Sequence, residues 1–245
     1  IQVEDEDSLT ERFETNRTVD MIDIAVIRVP RISNFTDFNP LESIQGVSLR
    51  YVKNPSELGN PDMIILPGTK NTMEDLLWMR ENGLEALILK EAAKGKLIFG
   101  ICGGYQMLGR TISDPHGVEN ENSLCEPLYP AHCEAISHEP DTIAVERIKR
   151  DGALPLRGME LIDTDTTLMP EKMRTQTRGK FENVTGIFST LSGLEFSGYE
   201  IHMGKTTVST GEHQTPLVQL ADGRTDGVQR MEKGSEAPGV YGSYV

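Results

Sequence analysis

The sequence predicts an α/β protein: a doubly wound, mostly parallel sheet with antiparallel strands added in its second half. Three observations predict it. Continuous apolar runs flanked by polar residues recur between residues 21 and 101, the pattern of strands covered on both faces. Stretches with helical spacing alternate with those runs, as parallel strands joined by crossover helices require. After Thr111 the texture changes to short segments rich in Thr and Gly with little helical period, as in hairpins.

The elements follow in order. MIDIAVIRV, from Met21, is the first strand, VSLRYV (Val47 to Val52) the second, and DMIILPG (Asp62 to Gly68) the third, closed by a Pro-Gly turn signal. A helix is expected from about Met73 to Arg80. Another spans Leu84 to Ala93, with Leu84, Leu87, Ile88 and Glu91 at helical spacing. KLIFGI (Lys96 to Ile101) is a fourth strand, and YQMLG begins a further helix. In the second half, GMELIDTDTTL, RTQTRGKF, FSGYEIHMGKT and TPLVQLADG read as antiparallel strands or hairpins. Residues 1–20 are polar and acidic and read as a linker or short helix. Glu121 to Leu156 carries several prolines and weak periodicity, and reads as a loop excursion or an inserted helical hairpin.

Composition narrows the function classes. A hydrophobic share of 37% with 25% charged residues is that of a soluble globular protein. The 38 acidic against 24 basic side chains leave a net charge of -14, which repels phosphate backbones and anionic bilayers. Nucleic acid and membrane surfaces are therefore not expected partners. Three cysteines in 245 residues make no disulfide framework, which fits a reducing, cytoplasmic setting. No apolar run is long enough to span a bilayer, and IQVEDEDSLTERF has no signal-peptide pattern. That N-terminus also lacks an initiator Met, so the chain reads as the C-terminal part of something longer.

The chemistry concentrates in KLIFGICGGYQMLGR. A buried strand runs into Gly100-Ile101-Cys102-Gly103-Gly104 and a helix follows at once. Such a strand-to-helix bend holds a nucleophile in a strained conformation at the sheet's C-terminal edge. Glycine is expected at 100 and 104, where a Cβ would collide across the turn. A cysteine at a helix N-terminus should have a lowered pKa, and the Gly103 N–H should point where an oxyanion forms. The competing reading is a buried structural cysteine in a glycine-rich turn.

Gly-Ile-Cys-Gly-Gly-Tyr-Gln-Met-Leu-Gly resembles the nucleophile motif of class I glutamine amidotransferases, and closely the cobyric acid synthase branch. DIAVIRVPRISNFTDFNPLE, PDMIILPGTKNTMEDL, RGMELIDTDTTLMPEKMRTQTRGKF and GYEIHMGKT are similar to the same branch. The resemblance implies a glutamine amidotransferase-like fold over residues 21–245, with 121–156 as an insertion. It implies that Cys102 attacks the carboxamide of glutamine and that Gln106 helps bind this substrate. It also implies that the Pro67-Gly68-Thr69 loop supplies a second oxyanion N–H beside that of Gly103. Without it, Gly68 reads equally well as a plain turn.

Such a site needs a histidine base. His202 is the candidate in a well-matched segment, against a structural or rim role. The resemblance places the family's histidine after a strand like VYGSYV, hence beyond Val245, and no third carboxylate is identifiable. It further implies that residues 1–20 join a preceding ATP-using synthase domain. ATP and Mg belong to that domain, its corrinoid substrate is adenosylcobyrinic acid a,c-diamide, and no cofactor is expected in this one. LPGTKNT lacks phosphate-loop spacing. Cys125, His132, Cys133 and His138 invite a zinc reading, but their spacing favours an ordinary insertion. An amidotransferase for another acceptor, such as a cell-wall precursor, and an inert binding domain remain the alternatives.

Overall fold

The computed structural model describes residues 21–119, 155–209, 213–231 and 238–245. The linker at 1–20, the four zinc candidates and the expected insertion, Pro155 and Leu156 excepted, lie outside them. The strands are β1 (Ile22–Ile27), β2 (Val47–Val52), β3 (Met63–Leu66), β4 (Leu97–Ile101), β5 (Thr111–Ser113), β6 (Leu156–Arg157), β7 (Thr164–Phe181), β8 (Glu195–Val208), β9 (Gln214–Leu220), β10 (Thr225–Met231) and β11 (Pro238–Ser243). The helices are α1 (Asn39–Glu42), α2 (Pro55–Leu58), α3 (Thr72–Glu81), α4 (Leu84–Ala92) and α5 (Gly103–Leu108).

One sheet joins them in the order β2-β1-β3-β4-β11-β10-β9-β7-β5-β6, with β8 on β7. Its first five strands are parallel. Alternation along β1 shows why both faces are covered. Ala25 and Ile27 pack with Ile64, Leu66, Leu76, Met79, Leu84 and Ile88 under α3 and α4. Ile24 and Val26 point the other way, onto Phe38, Tyr51 and Ile65. Asp23, buried in the same strand, is neutralised by Arg50 at 2.8 and 2.9 Å. Helix α3 starts where Asn71 accepts the Glu74 N–H at 3.0 Å, a side-chain cap that satisfies one orphan donor.

The second half is antiparallel apart from β5, which runs parallel to β7. GMELID is not strand: Gly158, Met159, Leu161 and Ile162 donate to carbonyls at the end of α5 and just after it. The remaining TDTTL continues into RTQTRGKF as one long strand, β7. Opposite Met203, four residues of β7 (169–172) bulge out between the pairs Leu168↔Gly204 and Met173↔His202. Pro170 lies among them and has no N–H to give the ladder. β10 and β11 were not read from apolar pattern. β11 closes the fold by entering between β10 and β4.

Candidate active site

β4 ends at Ile101, and Cys102 turns the chain into α5 with φ 51 and ψ −106. A non-glycine residue at positive φ persists only when its surroundings enforce it. Here the Cys102 N–H donates to the Ser243 carbonyl at 2.9 Å and the Gly104 N–H to the Pro67 carbonyl at 3.1 Å. A Cβ on Gly104 would stand 2.0 Å from the Leu66 carbonyl oxygen, so α5 packs directly on the backbone of β3.

The Cys102 thiol is half-buried and donates to the Ile201 carbonyl at 3.7 Å. Burial pushes its pKa up to about 11; the Gly103 N–H and Lys172 oppose the rise, and Glu119 and Asp226 add to it. This corrects the expectation of a lowered pKa. The six-residue helix does not offset desolvation, so the resting group is a protonated thiol that needs a base.

Across from the sulfur lies the Pro67–Asn71 loop. Ser33 N–H donates to the Gly68 carbonyl and Lys70 N–H to the Arg31 carbonyl, forming an antiparallel bridge centred on Ile32 and Thr69. In such a bridge the flanking residues use the hydrogen bonds, so the Thr69 N–H turns away from residues 31–33. It faces Gly103, where an added Cβ would be 3.2 Å from the Thr69 nitrogen. Gly68 lies against Cys102: a Cβ on Gly68 would be 3.7 Å from that of Cys102. The Gly103 N–H reaches the thiol and the Thr69 nitrogen lies against Gly103, so two backbone donors stand near the elbow, an arrangement suited to a tetrahedral oxyanion. The Thr69 hydroxyl donates to buried Asp75, whose pKa burial raises to about 6 against the pull of Thr69 and Arg31.

Gln106 is expected from sequence to help bind substrate, and His202 to be either the base or a structural or rim residue; the structure puts both in hydrogen-bond networks. The Gln106 amide is buried, its Oε1 accepting from the Thr72 hydroxyl at 2.9 Å and its Nε2 donating to Tyr244 at 3.1 Å. It braces the elbow from beneath, with both ends committed. His202 has Nε2 at 3.0 Å from Glu200 and Nδ1 at 2.7 Å from the Gly204 carbonyl, and its ring stacks on Tyr244 at 3.7 Å. Glu200 is itself gripped by Arg224 at 2.9 and 2.8 Å, which with His202 holds its carboxyl below the usual range. Both ring nitrogens face oxygens, and among the described residues no hydrogen bond joins His202 to Cys102. The geometry gives His202 the structural part: it backs Tyr244.

Asp226 accepts from the Ser243 hydroxyl at 2.7 Å and from the N–H groups of Tyr244 and Val245 at 3.0 and 3.3 Å. Ser243 stands level with Ile101, so Asp226 fixes the chain beside the elbow. Arg31, Ser33, Asp75, Glu119, Tyr244 and Asp226 had no assigned role from sequence. The ISNFTDF and HGVEN segments held some of them, but each acts on a partner distant in sequence. Among the described residues no three His, Cys, Asp or Glu converge as a metal site. No described helix is long and apolar enough to cross a membrane.

Comparison with known proteins bears on the family and the fold. Residues 23–129 and 141–245 match the CobB/CobQ-like glutamine amidotransferase domain. A cobyric acid synthase of Ruminiclostridium cellulolyticum is 47% identical over 250 residues, covering 100% of this chain and 41% of that protein. One of Lachnoclostridium phytofermentans is 47% identical over 210 residues, covering 86% of this chain and 34% of that protein. The chain thus spans about two fifths or less of these relatives' length. Among solved structures, PurLQS of Thermotoga maritima superposes with a TM-score of 0.57 at 19% identity, covering 91% of this chain and 86% of that one. A glutamine amidotransferase crystal structure gives 0.54 at 14% identity, with 90% and 87% covered. These two show a shared fold.

Proposed function

This chain belongs to the CobB/CobQ-like glutamine amidotransferase domain family, and from that membership we propose that it hydrolyses glutamine on Cys102 to release ammonia. The observation that carries the reading is the strained Cys102, with the Gly103 amide at its thiol and the Thr69 amide beside Gly103. The thiol yields its proton to a base, and sulfur bonds to the carboxamide carbon. The carbonyl oxygen becomes an oxyanion held by the two N–H groups. Collapse breaks the C–N bond, ammonia leaves with the proton returned by the base, and a glutamyl thioester remains. Water then attacks the thioester, giving glutamate and the free thiol. Gln106 and Thr72 keep the elbow and the donor loop in register.

His202 being committed elsewhere, we assign the base to sequence following Val245. The parallel pairing of β11 with β4 carries the chain to the edge where Cys102 sits. In the longer protein, the ammonia would amidate carboxylates of adenosylcobyrinic acid a,c-diamide. That step uses ATP and Mg on the preceding synthase domain, in the cytoplasm. The 47% identity to cobyric acid synthases over the whole chain supports this acceptor over a cell-wall precursor.

The test is covalent labelling by a diazoketone analogue of glutamine, located by mass spectrometry. The chain would be compared with a form extended past Val245 by the corresponding residues of the R. cellulolyticum relative. Labelling confined to Cys102 and faster in the extended form is expected, with glutaminase activity following the same order. Labelling of neither form overturns the glutaminase reading. Equal rates in both forms overturn the assignment of the base.

A further inference from the structure

Glu119 is a buried carboxylate that the mechanism above does not use. Its two oxygens accept the Thr72 and Met73 N–H groups, each at 2.8 Å, and its own carbonyl accepts from Asn71 Nδ2 at 3.3 Å. Among the described residues it has no cationic partner. Burial drives its pKa up to about 7, against the pull of Met73 and Thr72. Removing an unpaired carboxylate from water costs several kcal/mol. Asn71 holds the Glu74 N–H and Glu119 the two N–H groups before it, so the acid completes the cap of α3 and ties residues 71–73 to the segment that carries it.

Those residues touch the site directly. The Thr72 hydroxyl and the Thr69 nitrogen each lie 3.2 Å from where a Gly103 side chain would begin, so the loop rests on the elbow. The same hydroxyl donates to Gln106, which donates to Tyr244. A displacement of Thr72 therefore moves one oxyanion donor relative to the other and loosens the brace under Cys102. A misplacement of about 1 Å around reacting groups can cost about 100-fold in rate.

We propose that Glu119 is a positioning residue for acyl transfer at Cys102, acting through Thr72 on the Thr69 donor loop and on Gln106. This rests on the glutaminase reading above. Glu119→Gln keeps the shape but sets an NH₂ against one of the two backbone donors. Thr72→Val removes the hydroxyl relay, and Thr72→Ser restores it.

The readout is the rate of Cys102 labelling by the diazoketone divided by its rate with iodoacetamide, in the extended form, together with kcat and KM. Diazoketone chemistry uses the oxyanion donors, whereas simple alkylation does not. Glu119→Gln and Thr72→Val should lower this ratio and kcat about 10-fold or more, with KM within about twofold and Thr72→Ser near wild type. A ratio unchanged in either of the first two, even with a lowered melting temperature, makes the role merely structural and overturns the proposal. If Glu119→Gln does not fold, the valine and serine variants decide. An unlabelled wild type sinks the glutaminase reading, and this one with it. A labelled wild type with unaffected variants sinks this one alone.

Discussion

On the sheet side of Cys102, α5 and the Pro67–Asn71 loop are packed until backbone meets backbone. On the ribbon side, β7 and β8 run outward with little covering them. Every residue from 169 to 176 is exposed, and Tyr199 and Ile201 are exposed by 66% and 40%. The ribbon's hydrogen bond to the sulfur is a single carbonyl, that of Ile201, a backbone group that substitution does not remove. The geometry at Cys102 is thus over-determined from one side and only touched from the other. Acids divide in the same way. Asp75 and Glu119 on the packed side have raised pKa values through burial, while Glu200 and Asp222 on the open side are lowered by Arg224.

The sharpest way to break this contrast is at Gly104. Gly104→Ala forces a methyl into the Leu66 carbonyl and should cost about 3 kcal/mol or more, read as lost soluble yield or a collapsed melting transition. A variant that melts like wild type would mean the elbow has slack. A smaller effect belongs to Glu200→Gln, which leaves Arg224 and His202 sharing one acceptor oxygen. Denaturant titration should show a loss of about 1–3 kcal/mol, with Cys102 labelling reduced less than by Glu119→Gln.

Solution pH offers the next test. The ordinary values of Asp75 and Glu119 are 3.8 and 4.5, and folding raises them to about 6 and 7. The folded state therefore binds protons more tightly than the unfolded chain. The stability so gained is fully present below the unfolded values and is lost as pH climbs through about 6 to 7. Each group contributes at most about 1.4 kcal/mol per pH unit. The melting temperature should fall from pH 5 to 7, and Glu119→Gln should flatten that fall. A wild-type stability that rises over this window would contradict the assignment. Least of all, Tyr199→Ala on the ribbon should change stability by under about 0.5 kcal/mol by thermal melting. A larger loss would show that this face is not open.

What was legible follows the same division. β1 to β4, α3 and α4 were readable within a residue or two, because strands buried on both faces and their crossover helices leave local apolar patterns. The strained bend at Cys102 was readable because a tight turn dictates its glycines, whereas the Gly68-Thr69 loop was singled out only through the family resemblance. β10 was not readable, and a strand at VYGSYV was known only through the family resemblance. TDGVQRM and PGVYGS owe their place to partners far away in sequence, and such pairing leaves no local signature. Glu119, Asp226 and Tyr244 stayed hidden for the same reason. His202 and Gln106 sat in well-matched segments, yet their atoms are directed by Glu200, Gly204, Thr72 and Tyr244, which spacing does not reveal. The thiol's raised pKa was missed because a helix end is visible in sequence and desolvation is not.

The bond from Cys102 N–H to the Ser243 carbonyl sets a timetable for synthesis. A ribosome releases the sulfur long before its anchor. Until the closing strand has slotted into the sheet, residue 102 lacks one of the backbone hydrogen bonds that hold its strained state. The bend at Cys102 is therefore completed only once β11 has been made and paired with β4.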